Sequence, residues 1–179
     1  VSSLSFKEAT PDEFKSTLMQ AKESMPLSQR WRVDVHDSYS SRDKLFVMDN
    51  GSCVAVEPSG NIVSVCKNAS ATERGVGNAL LQKAVENGGD RLDAFGGSLY
   101  RFYTRNGFEP VSWTPFDVNY APDEWKEALQ KGLDVRQEEV VFYKYTGKTT
   151  STTYEEFIEK TPPSADYDAA QKVRDEVMK

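Results

Sequence analysis

The segment Thr72-Glu73-Arg74-Gly75-Val76-Gly77-Asn78 runs directly into Ala79-Leu80-Leu81, the beginning of an apolar stripe at helical spacing. A helix start carries backbone N–H groups with no acceptor inside the helix, and a partial positive charge. Glycines at that point let an anion come close, because no Cβ intervenes. The chemistry within reach of this segment is therefore the holding of a small anionic group on backbone donors. On these residues alone a second reading stays open, a glycine turn leading into an amphipathic helix.

Other chemistries are poorly provided for. The chain has one histidine, His36, and two cysteines, Cys53 and Cys66. A zinc site made of Cys and His lacks ligands, so no metal is expected, with a carboxylate site left open. A Ser–His–Asp or Cys–His enzyme would have to use His36. That residue lies in a polar stretch, Val33-Asp34-Val35-His36-Asp37-Ser38, with no nucleophile motif beside it, and reads as a surface residue. Gly75-Val76-Gly77 with Asp93 mimics a dinucleotide fingerprint, but Leu80 stands at the third glycine position. Two hairpins also precede the glycines where that fingerprint requires a parallel βαβ unit, which excludes it.

A chain of 179 residues can bury one sizeable core and carry an appendage. A net charge of −6 and the lack of any Lys/Arg run argue against nucleic acid or an anionic membrane surface as partner. No apolar run approaches the ~20 residues of a membrane helix. The opening Val1-Ser2-Ser3-Leu4-Ser5-Phe6-Lys7-Glu8 has no basic region followed by an apolar stretch. No signal peptide is expected, and the cytoplasm is the expected location.

The elements that must position the glycine segment follow from patterning. A short strand is expected over 4–8. Thr10-Pro11-Asp12-Glu13 opens a helix with a cap, a proline at the first position and acids at the positive end. Phe14, Leu18 and Ala21 mark its buried stripe, and Pro26 ends it. Residues 28–43 are ambiguous, with one short helix around Trp31. Strands over 44–48, 52–57 and 62–67 are separated by Asp49-Asn50-Gly51 and Pro58-Ser59-Gly60-Asn61 turns. A helix follows from the glycines to Asn87-Gly88-Gly89, buried through Leu80, Leu81, Ala84 and Val85. Then come a strand over 91–95, a helix over 98–106, a strand over 108–113, an inserted helix over 122–131 with Trp125 and Leu129 on one face, and a strand over 138–145.

This order resembles that of the GNAT N-acetyltransferase superfamily. Glu73-Arg74-Gly75-Val76-Gly77-Asn78-Ala79-Leu80-Leu81 looks like the pyrophosphate loop of that family. Leu99-Tyr100-Arg101-Phe102-Tyr103-Thr104-Arg105-Asn106-Gly107-Phe108 is similar to its Tyr-x-x-x-Gly-Phe helix end. The resemblance covers 44–113 well and the rest loosely. Asp93-Ala94-Phe95 and the stretch from Pro115-Phe116-Asp117 to Trp125 resemble a subgroup found in bacteriophage and mobile-element genomes.

The resemblance implies an α+β fold, a mixed and mostly antiparallel sheet flanked by helices over 1–145; from Thr146 the composition changes to a polar linker and helical tail over 146–179. It implies transfer of an acetyl group from acetyl-CoA to an amine of a small molecule or protein. Thr72, Arg74, Gly75, Val76, Gly77 and Asn78 would hold the pyrophosphate. The backbone of Val63, Val65 and Cys66 would hold the thioester and pantetheine. Tyr103 would protonate the leaving sulfur, as a phenol with an ordinary pKa of ~10 remains protonated at neutral pH. Leu99, Phe102, Tyr103 and Asn106 share a helix face, so a core aromatic is the other reading of Tyr103, and Tyr100 lies on another face. No general base stands out; Glu57 and Asp93 are candidates only as acids near strand ends. The alternative from a different class is a GNAT-fold protein without catalysis, serving assembly or interaction, for instance in a phage virion.

Two further expectations concern the cysteines and the tail. A four-residue loop at 58–61 sets Cys53 opposite Cys66 on adjacent strands, as buried free thiols. The tail, with helices over 154–160 and 166–178, has too few apolar residues for a core of its own. It docks on the domain, on a protein partner or second copy, or stays flexible, and folding of the rest is expected not to need it.

Overall fold

The computed structural model describes residues 5–179, with Ser98 described by its backbone alone. Leu4, the expected first residue of the first strand, lies outside the described residues. The chain forms two compact units. One comprises the residues up to Asp90 together with Pro122–Val135, the other Arg91–Ala121 with Arg136–Lys179.

The first unit runs β1 (Phe6–Glu8), α1 (Pro11–Glu23), α2 (Leu27–Arg30), β2 (Lys44–Met48), β3 (Cys53–Val56), β4 (Ile62–Cys66) and α3 (Val76–Glu86). Its strands form one sheet in the order β1-β2-β3-β4, antiparallel throughout. α1 starts as its sequence dictates. The Glu13 amide donates to Thr10 Oγ1 (3.2 Å) and the Thr10 amide to Glu13 Oε1 (3.3 Å), a reciprocal cap behind Pro11. Phe14, Leu18 and Ala21 of α1 are fully enclosed against Leu45, Val47, Cys53, Ala55 and Cys66. Burial on this scale contributes roughly 1.5–3 kcal/mol for each large apolar side chain. By strand alternation Phe46, Val54, Val56 and Ile62 face the other way, where α3 covers β3 and β4 with Val76, Leu80, Leu81 and Ala84.

The β3–β4 register corrects one expectation and keeps another. The connection is a three-residue loop, since the Glu57 amide donates to the Asn61 carbonyl (2.9 Å) and Gly60 takes φ 93°. That shortening alone would slide Cys53 past Cys66. A bulge in β4 restores the alignment, so that Val56 pairs Ile62, Ala55 pairs Val63, and Cys53 again pairs Cys66. Both thiols are free and buried.

The second unit contains β5 (Arg91–Phe95), a 3₁₀ turn at Gly97–Leu99, α4 (Tyr100–Arg105) and β6 (Phe108–Thr114). α5 (Asp123–Gln130) belongs to the first unit, packed on α2. Trp125 and Ala128 form its buried face, while Leu129 is 53% exposed, contrary to the expected Trp125/Leu129 face. The second unit closes with β7 (Val140–Tyr145), α6 (Tyr154–Lys160) and α7 (Tyr167–Val177). Its sheet has the order β5-β7-β6, antiparallel throughout. The fold is thus α+β with helices flanking antiparallel sheets, the single expected sheet being two.

The tail packs on this second sheet. α7 lies against β6 and β7 with Ala170 fully enclosed and Arg174 1% exposed. Trp113 Nε1 donates to the Thr161 carbonyl (2.7 Å) and Ser112 Oγ to the Ala170 carbonyl (2.7 Å). The Phe142 ring meets Tyr167 at 5.0 Å between centroids and the Arg174 guanidinium at 5.5 Å. Asp175 Oδ1 accepts from Arg174 Nε (3.1 Å) and Arg91 Nη1 (3.4 Å). Of the courses expected for it, the tail takes docking on the domain: its few apolar side chains and its carbonyls complete the surface of the β5-β7-β6 sheet.

Two predictions follow from this packing. Truncation after Tyr145 exposes Trp113 and Phe142 and strands the Trp113 and Ser112 donors, so it should abolish the cooperative melting transition of the second unit, measured by near-ultraviolet circular dichroism. Burial pushes the Cys66 thiol up to about 11, partly offset by Lys22. The unfolded thiol ionises near ~8.5. Between those values the unfolded chain binds fewer protons, so stability should fall as pH rises, by up to about 1.4 kcal/mol per pH unit for this thiol. Urea titrations across that window should show a shallower decline for Cys66→Ala.

Candidate functional site

After Cys66 the chain crosses a polar loop to α3. The root of that loop is pinned. The Asn68 amide donates to the enclosed Ser52 Oγ (2.9 Å), the Ala69 amide to Ser24 Oγ (2.9 Å), and the Ser70 amide to Asn68 Oδ1 (2.9 Å). Beyond the root, Thr72, Arg74, Gly75 and Asn78 are exposed. Gly75 precedes α3 with φ 75° and ψ 17°, a left-handed conformation that glycine adopts without strain. The first helical bond runs from the Ala79 amide to the Gly75 carbonyl (3.0 Å), so the amides of Val76 and Gly77 have no acceptor within the helix.

Three features make this helix start fit an anion. Its first turn contains no acid. A Cβ placed on Gly75 would meet no atom within 4 Å, so the approach is open. The one nearby carboxylate, Glu73, is engaged by its own backbone amide and by Asn50 Nδ2 (3.1 Å), which hold it below the usual carboxylate range. Val76 has its side chain in the core at 1% exposure and offers only its amide.

β4 is an edge of the four-stranded sheet, so one side of its backbone is not taken up by a neighbour in that sheet. Its bulge sets Ser64 and Val65 opposite Val54. Ser64 has φ 57°, alone among the described non-glycine residues in being positive. Such a conformation costs a residue with a Cβ roughly 1–2 kcal/mol. A chain of hydrogen bonds holds it there. The His36 amide donates to Tyr39 Oη (3.1 Å), and the Ser64 hydroxyl donates to the Asp34 carbonyl (2.9 Å). The 2.7 Å contact between Tyr39 Oη and Ser64 Oγ then takes its proton from the tyrosine. Tyr39 is 7% exposed, with Phe14 edge-on at 4.9 Å and the His36 imidazole stacked parallel at 5.2 Å. Burial raises its phenol above the ordinary value.

His36 is more than the surface residue expected. Its side chain is 31% exposed, stacked on Tyr39, and has Nε2 3.3 Å from Asp34 Oδ2. Of the expected backbone donors on β4, Val63 and Cys66 direct their side chains into the α1 core and Val65 is half-buried. Glu57 accepts from Asn61 Nδ2 (2.9 Å) within its own turn and serves that turn.

Tyr103 stands on α4 in the second unit. Its ring packs on Phe102 (5.1 Å), Tyr143 (5.4 Å) and Phe108 (6.3 Å). Burial first, and the Asp93 charge second, push its phenol well above the ordinary value. Its hydroxyl has no hydrogen-bond partner among the described residues. Tyr100 differs, since its hydroxyl is committed to the Thr152 carbonyl (2.9 Å) and raised to about 12 by burial and by Glu156 and Glu155. Asp93 pairs in register with Phe142 and accepts from Tyr167 Oη (2.8 Å) of α7, on the sheet face opposite Tyr143 and Tyr103. Tyr103 and Asp93 are not a pair. No cluster of three metal-ligating side chains occurs among the described residues.

No protein-family model matches the sequence, and no curated protein matches it. Solved structures do. The ribosomal-protein-alanine N-acetyltransferase from Brucella melitensis is 14% identical with a TM-score of 0.51, covering 80% of this chain and 100% of that one. A Bacillus subtilis acetyltransferase in complex with CoA is 16% identical with a TM-score of 0.44, covering 79% and 97%. A GNAT-family acetyltransferase from Staphylococcus aureus is 11% identical with a TM-score of 0.47, covering 79% and 98%. The likeness to the first shows a shared fold over most of both chains. The chain has the GNAT fold that its two motifs resemble.

The bulge generates a test. Ser64→Ala keeps the left-handed strain and leaves the enclosed Tyr39 hydroxyl without its acceptor, a loss of about 1–3 kcal/mol. Ser64→Gly loses the same bond but relieves about 1 kcal/mol of strain. Urea denaturation should rank the wild type above Gly and Gly above Ala, the reverse of the usual order of these residues in a strand.

Proposed function

We propose that the chain is an acetyl-CoA-dependent N-acyltransferase that moves an acetyl group to an amine. The observation that carries this reading is the pairing, in one compact unit, of an open helix start at Gly75–Asn78 with a bulged edge strand, β4. The first suits a pyrophosphate and the second suits the amides of a pantetheine arm lying along an unpaired backbone. The GNAT fold agrees with it.

Acetyl-CoA, when bound, supplies an activated acyl thioester. Arg74, with the amides of Val76, Gly77 and Asn78, holds its pyrophosphate, and the Thr72 hydroxyl lies at the rim. The backbone of Val63, Val65 and Cys66 orients the arm, the Cys66 thiol remaining a core group. Tyr103 holds a proton at its hydroxyl for the leaving sulfur. Its raised pKa keeps that proton in place at neutral pH, and its uncommitted hydroxyl is free to donate.

Calorimetry with acetyl-CoA tests this. The wild type should bind, and Gly75→Val should reduce affinity at least tenfold by forcing a branched side chain into a left-handed position beneath the ligand. Gly77→Val should act similarly by blocking close approach. Tyr103→Phe should bind normally and slow transfer alone, as expected of a group acting on the transition state. No wild-type binding at millimolar concentration would defeat the reading.

A further inference from the structure

We infer that His36 is the general base that deprotonates the acceptor amine, with Asp34 and Tyr39 as its positioning residues. The inference rests on the acyltransferase reading and supplies the group that the sequence does not reveal.

An amine is protonated at neutral pH and cannot attack a carbonyl until it loses a proton. A base for that step needs a lone pair, a fixed orientation and a place beside the reacting carbonyl. His36 offers the first two by its contacts, and the third follows from the acyltransferase reading. Its Nε2 lies 3.3 Å from Asp34 Oδ2, an ion-pair distance, so a proton on Nε2 faces the carboxylate and Nδ1 is the nitrogen left to accept one. No hydrogen bond occupies Nδ1 among the described residues. The ring cannot rotate freely, because one face lies flat on Tyr39, with 2° between the planes. Tyr39 is in turn fixed by Phe14 and by the bond to Ser64 at the β4 bulge. The backbone amide of His36 donates to the same Tyr39 oxygen (3.1 Å). The imidazole is thereby held one aromatic layer from the irregular stretch of the edge strand, the place assigned to the thioester. The strain at Ser64 has a purpose in this arrangement, since a regular strand would turn the Ser64 side chain out of line with the loop that carries His36.

In the step, the acceptor ammonium gives one proton to Nδ1 of His36. The freed nitrogen forms its bond to the acyl carbon and the carbon–sulfur bond breaks. The sulfur takes the proton held by Tyr103 and is released as the thiol, and the second nitrogen proton, lost as the amide forms, replaces it on Tyr103. His36 then returns its proton to solvent, and Asp34 holds the imidazolium meanwhile.

Two small amines separate a base from a merely structural residue. Ethylamine is protonated at neutral pH and needs the base; hydroxylamine is already unprotonated and does not. Thiol release from acetyl-CoA would be followed with each amine at high concentration. His36→Gln should bind acetyl-CoA as the wild type does, lose about 100-fold or more in rate with ethylamine, and stay close to wild type with hydroxylamine. Added imidazole should restore the ethylamine reaction of His36→Gly. Equal losses with both amines would overturn the assignment, as would wild-type protein that binds acetyl-CoA yet acetylates neither amine. Failure of the wild type to bind acetyl-CoA at all would instead remove the transferase reading, and this inference with it.

Discussion

The bond between the Tyr39 and Ser64 hydroxyls is the contact on which the first unit turns. It joins a polar loop that has no regular structure to the only irregular point of the edge strand. Without it Ser64 has no reason to hold a left-handed backbone, and without that backbone the register of β4 slips by one residue. The slip would remove Cys66 from its place opposite Cys53 and turn the side chains of the strand's end to the wrong face. One short polar contact thus sets both the packing of the α1 core and the line of the backbone edge beside the helix start.

The second unit depends on a different economy. Its three strands bury one face under α4 and the other under α7, and the latter helix comes from a segment of largely polar composition. Ala170 allows close approach, and Arg174 lays its guanidinium over Phe142 while sharing Asp175 with Arg91. A few well-placed groups substitute for apolar bulk. Tyr103 sits on the α4 face, where its neighbours Phe102, Phe108 and Tyr143 exclude water from the ring and keep the phenol protonated.

Much of this was legible in the residues. The Thr10 cap with Pro11, the Gly51 and Gly60 turns, the Leu80/Leu81 stripe and the glycine stop of α3 each act through neighbours in sequence, so local pattern was enough. The glycine helix start could be read for the same reason. The Cys53–Cys66 pairing was also reached, although the loop is one residue shorter than the turn chemistry suggested and the bulge makes up the difference. What escaped was non-local. Nothing near His36 announces Tyr39 as a ring to stack on, and nothing near Ser64 announces φ 57°. The docking of α7 was hidden because its burial comes from one alanine and one arginine, residues that hydropathy counts as indifferent or polar. Leu129 misled in the opposite direction, as an apolar side chain left in solvent.

The order in which the chain crosses between its two units has a consequence for its synthesis. The first unit is finished by α5, which emerges only after β5, α4 and β6 have been made. The second unit is finished by α7, which emerges later still. On the ribosome, therefore, neither unit can close in the order of translation: β5 and β6 wait for β7 to pair them and for α7 to cover the face that α4 leaves open. A nascent chain of this kind carries an unclosed second sheet until α7 is made. Its yield in a cell should be governed by chaperone capacity and elongation speed more than by the stability of the finished fold.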